Sequence, residues 1–405
     1  MNILVLSHRV PFPPNKGEKI RSYHQLKHLR AQGHRLHVCA PYEDDSELHY
    51  FSGLEDDLGI STTKAKLGSK PLRLLSSFLR GKSLSVGNFY SKSLQEKIDQ
   101  KIANERFDWI LCTASSMAEY IFRSKSLPQE NAPGLIMDFM DLDSDKWQQY
   151  AALKPFPISL IYRLEARRVA RLENLTHAKF DACLLISQNE VDLFQQQTGT
   201  ANKIHVVANG LDTDTFKPAP KPHPHPIRPV FIFTGVMDYF PNEDAVLWFC
   251  ENIWPDLKTR YPNAEFYIAG MQPSPKIQAL SELPGVHVTG FVDDILDYYH
   301  KADLFVAPFR VARGVQNKVL QAFACGLPVI STPIGAEGIA CEHEKHLLVT
   351  NSEDENSFKE ATYRLVENES LRDRLRNSAA QLIREQYSWS GRLALLDEIL
   401  NSRTT

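Results

Sequence analysis

Between Ala307 and Val329 the chain reads APFRVARGVQNKVLQAFACGLPV. The spacing predicts a strand ending at Ala307, a short loop bearing Arg310 and Arg313, and a helix opening over Gly314, Val315 and Asn317, with Lys318 in its first turn. A helix start offers unbonded backbone amides and the positive end of the dipole. Three cations added at that point make a setting suited to a diphosphate, which is bound by charge-assisted hydrogen bonds. Gln321 follows Lys318 by three residues and so lies near the same face. The plain alternative is a solvated basic turn. Against it, Gly314 is a poor helix starter unless another group approaches closely.

Other loops repeat the theme of close backbone approach at a strand end. Gly235 follows the apolar run ending Phe233-Thr234 and leads through Asp238 to a helix beginning near Asn242. Gly290-Phe291-Val292 follows the run Val286–Thr289, with Asp293 or Asp294 suited to cap the next helix. Near the amino terminus Gly17 closes a proline-rich loop and opens a helix. Asn209-Gly210 is a turn dipeptide whose asparagine either shapes a hinge or faces a ligand, and Asp212 suits an Asx turn. Asp138, Asp141, Asp143 and Asp145 cluster after another strand; Asp138 or Asp141 is a candidate base, and Ser144 or Asp145 a candidate cap. Metal: none is expected, because no His/Cys/carboxylate cluster has ligand spacing and no EF-hand glycine follows the aspartates.

The elements that must carry these loops alternate. Strand-like runs at 2–6, 36–40, 109–112, 134–137, 182–186 and 204–207 are separated by helix-length segments. A second series follows at 230–234, 265–269, 286–289, 304–307 and 328–331, and then a charged helical stretch from about 352 to 387 and an amphipathic piece at 389–400. Such βαβ alternation predicts parallel sheets covered on both faces. Between the two series, Lys217 to Pro226 holds five prolines in ten residues, a stiff linker. The expected architecture is α/β, with two Rossmann-like domains facing a cleft. Residues 1–216 with the terminal helix 388–405 form the first domain, 217–228 the linker and 229–387 the second. Ligands of open α/β sheets bind beyond the carboxyl ends of strands.

Composition narrows the function. Lys+Arg 46 against Asp+Glu 49 leaves a net charge of −3, which speaks against nucleic acid as a partner. A hydrophobic share of 43% and a charged share of 23% are ordinary for a globular chain. The start MNILVLSHRVPFPP lacks a signal-peptide pattern, no stretch approaches a spanning helix, and the six cysteines are dispersed, so a cytoplasmic location with reduced thiols is expected. Two segments are basic and partly apolar, Lys64–Lys82 and Arg163–Arg171. Each is either a solvated helix face or a surface for peripheral contact with an anionic membrane.

Three of these stretches together resemble a known family. Asn209-Gly-Leu-Asp-Thr-Asp-Thr-Phe-Lys-Pro218 is similar to N-G-V/I-D-x-x-x-F-x-P, Gly290-Phe-Val-Asp-Asp294 recurs in the same family, and Gln321-Ala-Phe-Ala-Cys-Gly-Leu-Pro-Val329 is similar to E-A-M-A-x-G-x-P-V. These are marks of retaining glycosyltransferases of the GT-B type, family 4 (glycosyl transferases group 1). Pro11-Phe-Pro-Pro-Asn-Lys-Gly17 and Met137–Trp147 resemble a subgroup tied to bacterial exopolysaccharide and exosortase gene clusters.

The resemblance implies a glycosyltransferase moving a sugar from a nucleoside-diphosphate sugar to a glycan or lipid-linked acceptor, with the sugar nucleotide as co-substrate and no cofactor. Lys318, Arg313 and Arg310 would serve as the catalytic electrostatic clamp. Gly290, Phe291 and Val292 would meet the base; Gly314, Val315 and Asn317 the diphosphate. Gly17, Asn209, Gly235 and Asp238 would be further binding positions. The family's E-x7-E glutamates fall on Arg313 and Gln321, the latter facing the ribose, and its basic pair after the first strand of the second domain is replaced by Val236–Asp244, which has no cation. Cys112-Thr-Ala-Ser-Ser116 shows hydroxyls where the acceptor domain often has a histidine. Two other readings fit the same residues: a catalytically weakened nucleotide-sugar or glycan-binding protein, and a nucleotide-sugar epimerase.

Overall fold

Runs such as Ile3-Leu-Val-Leu6 and Trp109-Ile-Leu-Cys112 have no polar alternation, so both faces of their strands must be covered. In the computed structural model, which describes residues 1–15, 17–153, 155–219, 228–312, 315–351 and 354–403, they form the centre of a parallel sheet. The chain divides into two units, residues 1–209 with 392–405, and residues 210–391.

The sheet of the first unit contains β1 (Asn2–Ser7), β2 (Arg35–Tyr42), β3 (Ser61–Lys66), β4 (Trp109–Thr113), β5 (Gly134–Met140), β6 (Ala182–Leu185) and β7 (Ile204–Val206) in the order β3-β2-β1-β4-β5-β6-β7. Every neighbouring pair is parallel, with Ile3 opposite both Leu36 and Trp109. The order reverses between β1 and β4, so connections diverge there and open a crevice above the strand ends. The terminal helix Trp389–Asn401 ends in this unit. Leu393, Leu396 and Leu400 are buried, Trp109 Nε1 donates to Leu400 O (3.1 Å), and His28 Nε2 lies 2.8 Å from Asp397 Oδ2.

The second unit repeats the plan with β8 (Val230–Thr234), β9 (Glu265–Ala269), β10 (Val286–Gly290), β11 (Leu304–Ala307), β12 (Val329–Ser331) and β13 (Leu348–Val349), ordered β10-β9-β8-β11-β12-β13 and again parallel. Its reversal lies between β8 and β11. Both sheets match the α/β, Rossmann-like architecture expected from the alternation.

Some expectations shift. Residues 210–216, placed with the first domain from sequence, fall in the second unit. Leu211 N–H donates to Tyr387 O (2.6 Å), and the Phe216 ring meets Tyr299 edge-on. Gly210 is required by that packing, since a Cβ there would lie 2.5 Å from Trp389 Cα. Most of the proline-rich linker, residues 220–227, lies outside the described residues. The segment Lys64–Lys82 is not one helix: β3 takes its start as a polar edge strand, and a helix spans Lys70–Leu79. The charged stretch 352–387 is broken at Asn368, whose Oδ1 accepts from Leu371 N (3.0 Å) and so starts a new helix, Glu369–Leu382, after Glu355–Glu367. Five of the six cysteines are buried and all are unpaired. No helix among the described residues is long and apolar enough to cross a membrane.

Candidate active site

In the second unit, the carboxyl ends of β8 and β11 and the start of the helix Asn317–Ala324 meet around one side chain. Val319, Leu320, Ala322 and Phe323 bury one face of that helix, which leaves Lys318 on the other, toward the β8–Gly235 turn. Lys318 Nζ donates to Asn242 Oδ1 (2.5 Å) and stands 4.8 Å from the Phe233 ring centroid and 5.1 Å from that of Phe309. Asn242 in turn donates through Nδ2 to Val236 O (2.8 Å), which turns its oxygen toward the lysine. A Cβ on Gly235 would sit 2.7 Å from Asn242 Nδ2 and 2.8 Å from Lys318 Nζ. Only glycine permits this approach. Among the described residues no carboxylate pairs with Lys318, and burial pulls its ammonium from the ordinary 10.5 down to about 7.

Behind it, the buried Tyr299 hydroxyl takes a hydrogen bond from Thr234 Oγ1 (2.8 Å) and donates to Gln321 Oε1 (3.1 Å). The amide oxygen of Gln321 is therefore engaged, and its NH2 group is what it can present to a ligand. Arg310 grips Asp244 through Nε (3.0 Å to Oδ2) and Nη2, a fork-to-carboxylate pair. The expected clamp is thus divided: Lys318 faces neutral groups, whereas Arg310 is held by an acid. Arg313 and Gly314 lie outside the described residues. Asp238, Phe291 and Val315 are exposed on the loops after β8, β10 and β11, Asn317 is the exposed first residue of the helix, and Gly290, which ends β10, and Val292 are half-buried. Asp294 Oδ1 accepts from Leu296 N (2.8 Å), an Asx turn just ahead of the helix Leu296–Lys301, whose N-cap position is Ile295 and carries no side-chain cap, so neither aspartate takes the capping role expected from sequence.

The first unit holds a cavity of about 730 Å³ above the ends of β1, β4, β5 and β6, lined among others by His8, Gly17, Ser116, Lys146, Trp147 and Asn209. His8 Nδ1 and Ser116 Oγ are buried with no hydrogen-bond partner among the described residues. Burial, helped by Arg9, lowers His8 to about 4, so it is neutral near pH 7. Burial raises Asp143, another lining residue.

Asp138 is not the base considered from sequence. Both its oxygens are committed: Arg21 donates from Nε (2.7 Å) and Nη2 (3.0 Å), Gln25 from Nε2 (2.5 Å) and Met140 from its backbone (3.1 Å). Arg21 also donates to Val207 O (2.8 Å) and Asn209 Oδ1 (3.0 Å), so Asn209 is anchored to this buried pair while lining the cavity. Ser144 does not cap: its N–H donates to Glu173 Oε1 (3.1 Å) and its hydroxyl to Gln197 Oε1.

Sequence reasoning missed Asn242, Asp244, Tyr299 and His8. Three of them carry no motif spacing and act only through tertiary contacts. His8 was detectable as a polar residue just past the first strand, the position where open α/β sheets place ligands. No group of three His, Cys, Asp or Glu among the described residues is placed to hold a metal ion.

Residues 228–368 match the family model described as Glycosyl transferases group 1. This segment contains the Gly235–Asn242–Lys318–Gln321 arrangement, so the residues gathered by the fold lie inside the matched domain. Residues 228–368 are a group 1 glycosyltransferase domain. The protein is thus a glycosyltransferase, and both sheets fit the GT-B fold. A crystal structure of Anabaena Alr3699/HepE in complex with UDP has the same fold: TM-score 0.60 and 16% identity, covering 99% of this chain and 100% of that one. An "Uncharacterized 44.6 kDa protein in cps region" of Klebsiella pneumoniae is 22% identical over 401 residues, 95% of this chain and 96% of its own length. A D-inositol 3-phosphate glycosyltransferase of Corynebacterium jeikeium (strain K411) is 25% identical over 233 residues, 51% of this chain and 54% of that protein.

Proposed function

We propose that this glycosyltransferase moves a sugar from a nucleoside-diphosphate sugar to a glycan or lipid-linked acceptor in bacterial polysaccharide synthesis, with retention of anomeric configuration and without a metal. The observation that carries the reading is Lys318: an ammonium parked against an amide and two aromatic rings, at a helix start, with no carboxylate among the described residues to neutralise it. An anion arriving there restores the charge that burial suppresses. The relative in a cps region supports a polysaccharide setting, and the UDP-bound structure of the same fold supports a nucleotide ligand.

In the transfer, the bond from the sugar's anomeric carbon to the diphosphate oxygen breaks and a bond to the acceptor hydroxyl forms, while that hydroxyl's proton passes to the departing diphosphate. The departing diphosphate takes the electron pair, so its stabilisation is what the protein must supply. Lys318, with the amides of the helix start, does this. Arg310 has its charge met by Asp244, so the electrostatic work rests on Lys318. Gln321 donates to a ribose oxygen through its NH2 group, and Phe291 with Gly290 and Val292 flanks the base. Gly235 lets Lys318 and Asn242 close up against the turn after β8. The acceptor enters the cavity of the first unit, where Gly17, His8 and Ser116 await a hydroxyl-rich ligand.

The test is Lys318→Ala, with Lys318→Met as a bulkier companion, assayed against UDP-glucose and other nucleoside-diphosphate sugars. Turnover, including donor hydrolysis, is expected to fall by about 10²-fold or more, the usual loss for one electrostatic stabiliser. Donor affinity should fall too, while the melting curve stays intact. Unchanged affinity and turnover in both variants would overturn the assignment.

A further inference from the structure

The first unit carries an apolar and basic surface that neither candidate site uses. Leu72, Leu75 and Leu79 recur at three- and four-residue steps along the helix Lys70–Leu79 and are 68%, 55% and 75% exposed, with Phe78 beside them. On the helix Ile158–Lys179, Leu160, Arg163, Arg167, Arg171 and Leu175 recur at the same steps and all face solvent. The two helices are neighbours. The Arg168 guanidinium stacks on the Phe78 ring (4.6 Å), its Nη1 donates to Lys82 O (3.0 Å), and Arg80, Arg171 and Leu175 line one hollow.

The charge on this surface is predominantly positive. From Ser61 to Gln95 the chain holds seven lysines and arginines and no acid. Three of the acids nearby are turned inward and occupied. Glu119 holds Lys82 and Arg123, Glu165 accepts from the Leu84 and Ser85 amides, and Glu173 accepts from Ser144; all three are buried. Glu43, Asp45 and Glu96 are exposed but pair with Arg73, Lys66 and Lys92. Under the leucine-bearing helix lies a second cavity, of about 700 Å³, lined by Arg73, Arg80, Lys92 and Arg123 together with serines and no acid.

Large apolar side chains grouped on a monomer surface mark a site of interaction. Leucines flanked by cations along a helix face are the pattern of a helix lying in a bilayer interface, where leucine side chains enter the acyl boundary and cations meet lipid phosphates. We propose that the helices Lys70–Leu79 and Ile158–Lys179 together dock the protein on a leaflet of anionic phospholipid, with Leu72, Leu75, Leu79 and Leu175 inserted and Arg80, Arg163, Arg167 and Arg171 on the headgroups. The basic cavity receives a headgroup phosphate. This goes beyond the transfer reaction and does not depend on it.

The experiment is co-sedimentation of the full chain with phosphatidylcholine vesicles and with vesicles containing about 30% phosphatidylglycerol, at low and high salt. Binding is expected to the anionic vesicles only and to weaken as salt rises. Leu75→Glu/Leu79→Glu and Arg163→Glu/Arg167→Glu/Arg171→Glu should each lower the apparent partition coefficient by about tenfold or more. Donor-sugar hydrolysis in detergent-free buffer should stay at the parent level. If the glutamate pair unfolds, Leu75→Ser/Leu79→Ser serves in its place. Equal binding to neutral vesicles, no binding at all, or variants that bind like the parent would overturn the proposal. So would a dimer in sedimentation velocity that the Leu75/Leu79 variant abolishes, because the face would then belong to a second copy.

Discussion

Lys318 and Arg21 are both cations withdrawn from bulk water, and what faces each one differs. Arg21 meets a carboxylate, two carbonyl-type oxygens and no vacancy; it is a structural tie. Lys318 meets an amide oxygen and two ring faces, and burial brings it to about 7. In the unfolded chain the same lysine keeps its proton up to about 10.5, so its contribution to stability grows as pH rises from about 7 to 10.5. For ligand binding the sign reverses. A bound diphosphate raises the lysine's pKa, so binding takes up a proton wherever the empty site has lost one. Affinity for UDP should therefore fall as pH rises above about 7, by at most about tenfold per pH unit for a single proton. Calorimetry at pH 8 in two buffers of different ionisation enthalpy should detect that uptake, and Lys318→Met should abolish it. A flat pH profile for the parent protein would remove the lysine from the binding step.

At the scale of elements, Asp138 holds three pieces of the first unit together: its own strand β5, the helix Gly17–Ala31 through Arg21 and Gln25, and, by way of Arg21, the segment after β7 at Val207 and Asn209. Asp138→Ala leaves a buried guanidinium without its counter-charge, at a cost of about 3–5 kcal/mol. Urea unfolding of the first unit should report that loss, and Arg21→Met in the same chain should recover part of it. If Asp138→Ala unfolds at the parent midpoint, the pair is not the tie described. The aspartate run 138–145 was legible as unusual, but its role was not: a carboxylate at a strand end is a base, a cap or half of an ion pair according to a partner 117 residues away. Edge strand β3 was hidden for a related reason. Only Ala65 in it is buried, so hydrophobic alternation has almost nothing to register.

At the scale of the whole molecule, the chain leaves the first unit after Asn209 and returns to it at Arg392. The returning helix buries Leu393, Leu396 and Leu400 and makes the Trp109 and His28 contacts. Burying each such side chain is worth about 1.5–3 kcal/mol, so the set is comparable with a domain's entire stability of about 5–15 kcal/mol. Truncation after Gly391 should therefore strip the first unit of cooperative unfolding and leave the transition of the second in place. Hydrogen exchange resolved by segment would read both. Equal protection of β1 and β4 with and without residues 392–405 would contradict this.

The core strands, the two α/β series and the lysine at a helix start follow from local pattern, that is short apolar runs, glycines at strand ends and a cation three residues before a glutamine, and the short motifs carry the resemblance to the family. These are properties of neighbours along the chain, so sequence alone determined them. The partners of Lys318, Arg310 and Asp138 were settled only by tertiary structure. Asn242, Asp244 and Arg21 lie 76, 66 and 117 residues away from them, and the energy of a charge depends on what stands within a few ångströms rather than on what is adjacent in the chain.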